Sequence, residues 1–274
     1  MNKKKATPVV LTHPVASVEQ QIDKLQGWYS TVEGAYVLAE LRQLVTTMTE
    51  EVFGYYALEL GLMVEHCNLL CDSRISTHIK LSTNPYSTIA DTITKAEALP
   101  IGFNEIDLVV GCHVLDYAHS PHHVLREIER VLVPEGHCVL ISFNPWSLRG
   151  LGQTWNYLRR VPDRPAMYTK RRIRDWFEVL GFEMLETYTL GFRPALKSDR
   201  VFKHLEWVDR LGQKYQLPFG SVQVIHVRKQ VSRLIPLKPK VRATKTRLRP
   251  EIAINTTSTQ STNYATPMKK RTQA

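Results

Sequence analysis

Residues 107–144 constrain the fold more than any other stretch of this chain. Asp107 to Cys112 is an apolar run that ends at His113, and His137 to Phe143 is a second one that ends at Asn144. Between them Val124, Leu125, Ile128, Val131 and Leu132 recur at helical spacing, with Arg126, Glu127, Glu129 and Arg130 on the other faces. Ser120 suits a helix N-cap and Pro121 the first helical position, while Pro134 and Gly136 punctuate the end. The flanking runs are apolar without alternation, as strands buried on both faces are. Strand, amphipathic helix and strand make a βαβ unit, which requires a parallel sheet. Ligands of open α/β sheets bind beyond the carboxyl ends of the strands. The first places to look are therefore Cys112 to Ala118 and Asn144 to Leu148.

The rest of the chain extends the pattern. Val18 to Leu25, with Ser17 as cap, and Val32 to Met48 read as helices; Tyr55 to Leu60 reads as a first strand ended by Gly61. His78 to Ser82 and Thr88 to Thr94 are weaker strands, and Ile106 to Gly111 and His137 to Phe143 are the fourth and fifth. Thr169 is placed to cap a basic amphipathic helix, Lys170 to Leu180, stopped by Gly181. Phe182 to Leu190 is a strand, Asp199 to Lys214 a helix and Ser221 to Lys229 a last strand. The last strand's alternation predicts an antiparallel or edge position.

Charge is unevenly distributed. The 274 residues carry a net +10, but residues 228–274 hold twelve basic residues against Glu251, a local +11 that leaves −1 for residues 1–227. From Val231 onward periodicity disappears, prolines interrupt and Thr256 to Thr262 is polar and simple. The expected organisation is a flexible lead-in over 1–16, one α/β domain over 17–230 and a disordered basic tail over 231–274. That tail offers a contact for an anionic partner through its charges; with only Tyr264 as an aromatic it is unsuited to base stacking. No apolar run reaches the roughly 20 residues of a membrane span, and no signal peptide is legible, so a cytoplasmic setting is expected. Cys67, Cys71, Cys112 and Cys138 lack the spacing of a disulfide framework, and His66 with Cys67 and Cys71 makes too poor a ligand set to predict a metal.

Three motifs at related spacing carry a family resemblance: Ala96 to Pro100 (Ala-Glu-Ala-Leu-Pro), Asp107 to Val110 (Asp-Leu-Val-Val) and Leu125 to Gly136, ending Arg-Val-Leu-Val-Pro-Glu-Gly. Together they resemble the class I S-adenosylmethionine-dependent methyltransferases, and among these the bacterial type 11 domain group. The resemblance implies a Rossmann-like, mostly parallel seven-stranded sheet with one antiparallel strand and helices on both faces. It also implies S-adenosylmethionine as cofactor, lying across the carboxyl ends of the first four strands, and methyl transfer to an acceptor it does not identify, small molecules included. Glu59, Gly61, Ala96, Glu97 and His113 occupy the positions that would surround the cofactor.

The chain also departs from the family. Met63 and Glu65 stand where glycines of the first motif are expected, no acid follows the second strand near Leu81 to Asn84, and Lys95 replaces a usual aspartate. These departures motivate the alternative of an inactive methyltransferase-fold protein serving as a binding or regulatory module. For chemistry, His113 and Asn144 are the candidate catalytic residues, since each ends a strand at the face where ligands bind. An imidazole can orient a substrate or take a proton, and a carboxamide can recognise an amide or hydroxyl. Asp116 and Tyr117 lie close by in sequence, and Trp146 offers a flat wall to a planar substrate or packs against the protein itself.

Overall fold

The computed structural model describes residues 18–147, 165–193, 206–215 and 217–230. All lie in one compact unit, Met1–Arg233. The expected lead-in, the basic tail, the Ser17 cap and the first part of the last helix fall outside the described residues.

In chain order the elements are α1 (Val18–Tyr29), α2 (Val32–Thr49), β1 (Tyr56–Gly61), α3 (Val64–Cys67), β2 (Thr77–Ser82), β3 (Thr92–Ile93), β4 (Ile106–Cys112), α4 (Pro121–Val131), β5 (Leu132–Phe143), α5 (Lys170–Val179), β6 (Phe182–Leu190), α6 (Glu206–Lys214) and β7 (Val222–Lys229). The seven strands form one sheet in the order β3-β2-β1-β4-β5-β7-β6. Every neighbouring pair from β3 to β5 is parallel, and β7 runs antiparallel to both β5 and β6. This is the Rossmann-like α/β sheet with a single reversed strand that the sequence led us to expect.

Two apolar layers clamp the sheet, and the period-2 geometry of a strand sorts residues between them. Leu108, Val110 and Cys112 of β4 face the layer built by α1 and α2 through Leu25, Val37, Leu41 and Val45. Val109 faces the opposite layer, where α4 buries Val124, Leu125, Ile128 and Val131 and α5 buries Ile173 and Phe177. Complete burial of such side chains is worth about 1.5–3 kcal/mol each, so the buried stripe of α4 is enough to hold the helix on the sheet.

Two local expectations are corrected and a third is sharpened. Ser120 precedes α4, but its side chain makes no cap bond; its backbone carbonyl accepts from the N–H groups of His123 and Val124 instead. The third strand shrinks to two residues, because Ser87 and Thr88 are drawn to the Glu65 carboxylate and Asp91 Oδ2 accepts from the Lys80 N–H, curling the approach into a loop. β7 is antiparallel as expected but lies inside the sheet. The amide nitrogen of its polar Gln223 is satisfied in the interior, donating to Ser142 Oγ at 2.9 Å and to the Tyr168 carbonyl at 2.6 Å. No helix among the described residues is long and apolar enough to cross a membrane.

Candidate functional site

At the carboxyl ends of β1 to β4 the sheet opens into a cavity of about 700 Å³. Leu62 enters from the end of β1, Thr83 and Pro85 from the end of β2, and Ile93 to Ala98 from β3 and its following loop. His113 to Val114 and Tyr117 to His119 enter from the loop after β4, and Gln21 of α1 lines the remaining wall. Most of the lining is apolar, with a few polar groups, the usual make-up of a small-molecule site, and the volume falls within the range of about 300–1,000 Å³ such sites occupy.

Gly61 does not itself line the cavity but precedes Leu62, which does, and makes a close approach at the end of β1. Its φ of 149° lies outside the range comfortable for L side chains, and a Cβ there would stand 2.2 Å from the Cys112 carbonyl oxygen. Its carbonyl accepts from the Thr83 N–H at 3.1 Å, tying the ends of β1 and β2. The glycine therefore lets β1 and β4 pair closely where the cavity begins. Met63, two residues on, is fully buried within the α1–α2 layer and does not line the cavity. Its side chain fills core, so a side chain at this glycine position leaves the cavity open. Glu65 is likewise turned away: it accepts from Ser87 Oγ and from the Thr88 N–H at 2.9 Å, and the Ser87 bond holds its carboxyl below the usual range.

Ala96 and Glu97 lie in the cavity wall, as does Lys95. Glu97 Oε1 accepts from the N–H groups of His119 at 3.0 Å and Ser120 at 3.4 Å, fastening the loop after β3 to the loop that leads into α4. One rim of the cavity is thus closed by a carboxylate acting on backbone.

His113 is fully buried, in the left-handed backbone region at φ 54°, and its N–H donates to the Ile141 carbonyl at 2.9 Å. Nδ1 lies 2.7 Å from Asp116 Oδ2 and Nε2 lies 2.7 Å from the Tyr29 hydroxyl. A carboxylate only accepts, so Nδ1 donates to Asp116 and Nε2 accepts from Tyr29. Asp116 Oδ2 also accepts from the Phe143 N–H at 2.9 Å; burial raises this carboxyl, opposed chiefly by its bond to His113. Burial, reinforced by Cys112, pushes the Tyr29 phenol well above its ordinary value. The chain Tyr29–His113–Asp116–Phe143 joins α1, the loop after β4 and the end of β5. Both ring nitrogens of His113 are engaged, so in this arrangement it braces the cavity wall and has no free nitrogen with which to take a proton.

The two remaining sequence candidates do not line the cavity. Glu59 is fully buried on the α2–α3 side of β1; Oε1 accepts from the Leu69 N–H at 3.2 Å, and Oε2 has no hydrogen-bond partner among the described residues. Desolvation lifts its carboxyl to about 7. The carboxamide of Asn144 donates to the carbonyls of Pro218 at 2.6 Å and Gly220 at 2.8 Å, anchoring the loop before β7. Trp146 stands exposed rather than packed beneath another element. Among the described residues no cluster of His, Cys, Asp or Glu is arranged to hold a metal ion, and the four cysteines are free thiols. The sequence had no means of placing Tyr29 and Gln21: Tyr29 precedes His113 by 84 positions, Gln21 stands 41 or more before every other lining residue, and α1 shows only an ordinary apolar stripe.

Comparison with known proteins adds a family to this geometry. A family model described as a methyltransferase domain matches residues 18–187. The chain is 27% identical to the uncharacterised Escherichia coli protein YafS over 226 residues, 81% of this chain and 87% of YafS. It is 36% identical over 81 residues to a malonyl-acyl-carrier-protein O-methyltransferase of Alcanivorax borkumensis, 30% of this chain and 26% of that enzyme. A solved S-adenosylmethionine-dependent methyltransferase from Thermotoga maritima superposes with a TM-score of 0.58 at 15% identity, covering 77% of this chain and 98% of the other. At that identity the likeness is one of fold.

Proposed function

This chain belongs to the methyltransferase family, and we propose on that premise that it transfers the methyl group of S-adenosylmethionine to an acceptor bound beside it. The observation that carries this reading is the cavity of about 700 Å³ bounded by the carboxyl ends of β1 to β4, the place where open parallel sheets bind their ligands.

The residues present fit such a cofactor. Leu62, Ile93, Ala96 and Val114 supply apolar walls for a planar base and an aliphatic chain, and the volume suits a molecule of that size. Thr83 offers a hydroxyl in place of the missing acid after β2. Lys95 only donates, so it suits a carboxylate or a ring nitrogen and not an exocyclic amine. When bound, the cofactor supplies an already activated methyl group. The work left to the protein is alignment and exclusion of water. Glu97 does this by fixing the loop after β3 to the loop before α4, and the His113 relay by holding α1 against the carboxyl end of β4. No free general base is required for an acceptor that is already nucleophilic, which agrees with the engaged nitrogens of His113 and the engaged carboxamide of Asn144.

Calorimetric titration of the whole chain with S-adenosylmethionine and S-adenosylhomocysteine tests the reading. Saturable binding of both is expected, and absence of binding at millimolar ligand overturns it. The same engaged His113 and Asn144 also favour a second reading, a module that binds without turnover. Methyl transfer to any acceptor, lost when the cavity is filled by Ala96→Trp, would exclude it. The basic charges of residues 231–274 are proposed to meet an anionic partner.

A further inference from the structure

A second cavity, of about 300 Å³, lies between α2 and the carboxyl end of β6 and shares no lining residue with the first. Two of its groups lack what their chemistry asks for. Thr189 is 7% exposed, and its hydroxyl is buried with no hydrogen-bond partner among the described residues. Its methyl carbon lies on the side of Gly220, where an added Cβ would come within 2.5 Å of it. A buried hydroxyl left unpaired costs about 1–3 kcal/mol, and natural structures rarely keep one without a reason. Lys170, the first residue of α5, is half-buried in the same cavity. Among the described residues no hydrogen bond or ion pair reaches its ammonium, and burial lowers its affinity for a proton. An unpaired cation and an unpaired hydroxyl in one cavity call for the same missing partner, an oxyanion that takes charge from the first and a hydrogen bond from the second.

The surrounding wall narrows the choice. Glu40 lines the cavity together with Lys170, so the wall is neutral before a ligand enters; a monoanion puts one charge on the one cation, whereas a dianionic phosphate would face the carboxylate with twice the repulsion and still one cation to hold it. Leu44 and Leu190 supply an apolar surface, and Gln43 and Thr187 further polar groups. We infer that this cavity is a binding site for a small organic monocarboxylate, with the carboxylate on Lys170, the Thr189 side chain turning its buried hydroxyl towards it, and the apolar body against Leu44 and Leu190. The site stands apart from the cofactor cavity and does not depend on the methyl-transfer reading.

Benzoate and its neutral analogue benzamide are suitable probes on the full chain. The rate at which an amine-acylating reagent modifies Lys170, read by peptide mass spectrometry, reports occupancy at the residue itself. With a dissociation constant of about 1 mM, benzoate at about 10 mM slows acylation of Lys170 by roughly tenfold, as single-site occupancy requires. Benzamide leaves the rate unchanged, and the exposed Lys214 serves as an internal control. Thr189→Val, which keeps the side-chain shape, weakens the protection, and Lys170→Met removes the benzoate-induced rise in Tm. Equal protection by benzamide, protection unaltered in Thr189→Val, or no protection by benzoate would each overturn the inference. Because the labelling is read on the unsubstituted protein, a variant that failed to fold would leave the main result intact.

Discussion

Replacing Glu59 with Gln should change how the stability of this protein depends on pH. Glu59 sits in the middle of the sheet, fully buried, with one oxygen bonded to the Leu69 N–H and the other without a partner among the described residues. Desolvation raises its carboxyl from an ordinary 4.5 to about 7, against smaller opposing effects of the Leu69 N–H, Lys80 and Arg42. A group that ionises less readily when folded contributes stability while it is neutral. That contribution is complete below 4.5 and is lost as pH rises through 7. The interval between those values corresponds to about 3 kcal/mol, at about 1.4 kcal/mol per tenfold change in proton affinity. The amide cannot ionise, so the variant escapes this loss. It carries a fixed cost of its own, since a buried NH₂ would stand where Oε2 has no partner. That cost is the same at every pH, so it drops out of the change in the variant-minus-parent difference between two pH values. Urea unfolding followed by the fluorescence of the tryptophans, buried Trp28 among them, supplies the free energies. From about pH 5 to about pH 8 the stability of the variant relative to the parent should rise by about 2.5 kcal/mol. A difference that stays flat over this range, or falls, would refute the assignment of a buried, reluctant carboxyl to Glu59.

Other perturbations separate neighbouring roles. Gly61→Ala should cost about 2 kcal/mol or more in a denaturant titration, because the new Cβ meets the Cys112 carbonyl and the backbone angle disfavours an L side chain. Met63→Ala should destabilise by about 2–4 kcal/mol by opening a core void, while calorimetry finds the affinity for S-adenosylhomocysteine unchanged; tighter binding would mean that Met63 obstructs the cavity after all. Burial, with His137 beside it, depresses His226 from 6.5 to about 4, and His137 Nδ1 lies 2.9 Å from His226 Nε2. Its folded form resists protonation, so stability from this residue is present above 6.5 and is lost as pH falls towards 4, about 3 kcal/mol in all and opposite in sign to Glu59. Thermal melts at descending pH should show His226→Gln losing less stability in acid than the parent.

The sequence by itself determined the sheet. Apolar runs without alternation at 107–112 and 137–143, with an amphipathic helix between them, have few solutions other than a parallel βαβ unit, because burial on both faces and the 3.6-residue period are local properties. It also marked the loops that border the cavity, since Ala96, Glu97 and His113 all lie in its wall. It could not assign roles within those loops. Glu59 and Asn144 end or nearly end strands, as ligand-binding residues do, yet one is buried beside Leu69 and the other holds the loop before β7. Met63 and Glu65 looked like damage to a cofactor loop until their directions were known, and both point elsewhere. The bond from Tyr29 to His113 spans 84 positions. The pairing of an unpartnered hydroxyl at Thr189 with a lysine at the start of α5 exists only once α2, α5 and β6 are packed together. Local periodicity fixes which residues are buried, whereas the partner each polar group finds is set by chain packing, and that is where the chemistry of the site was decided.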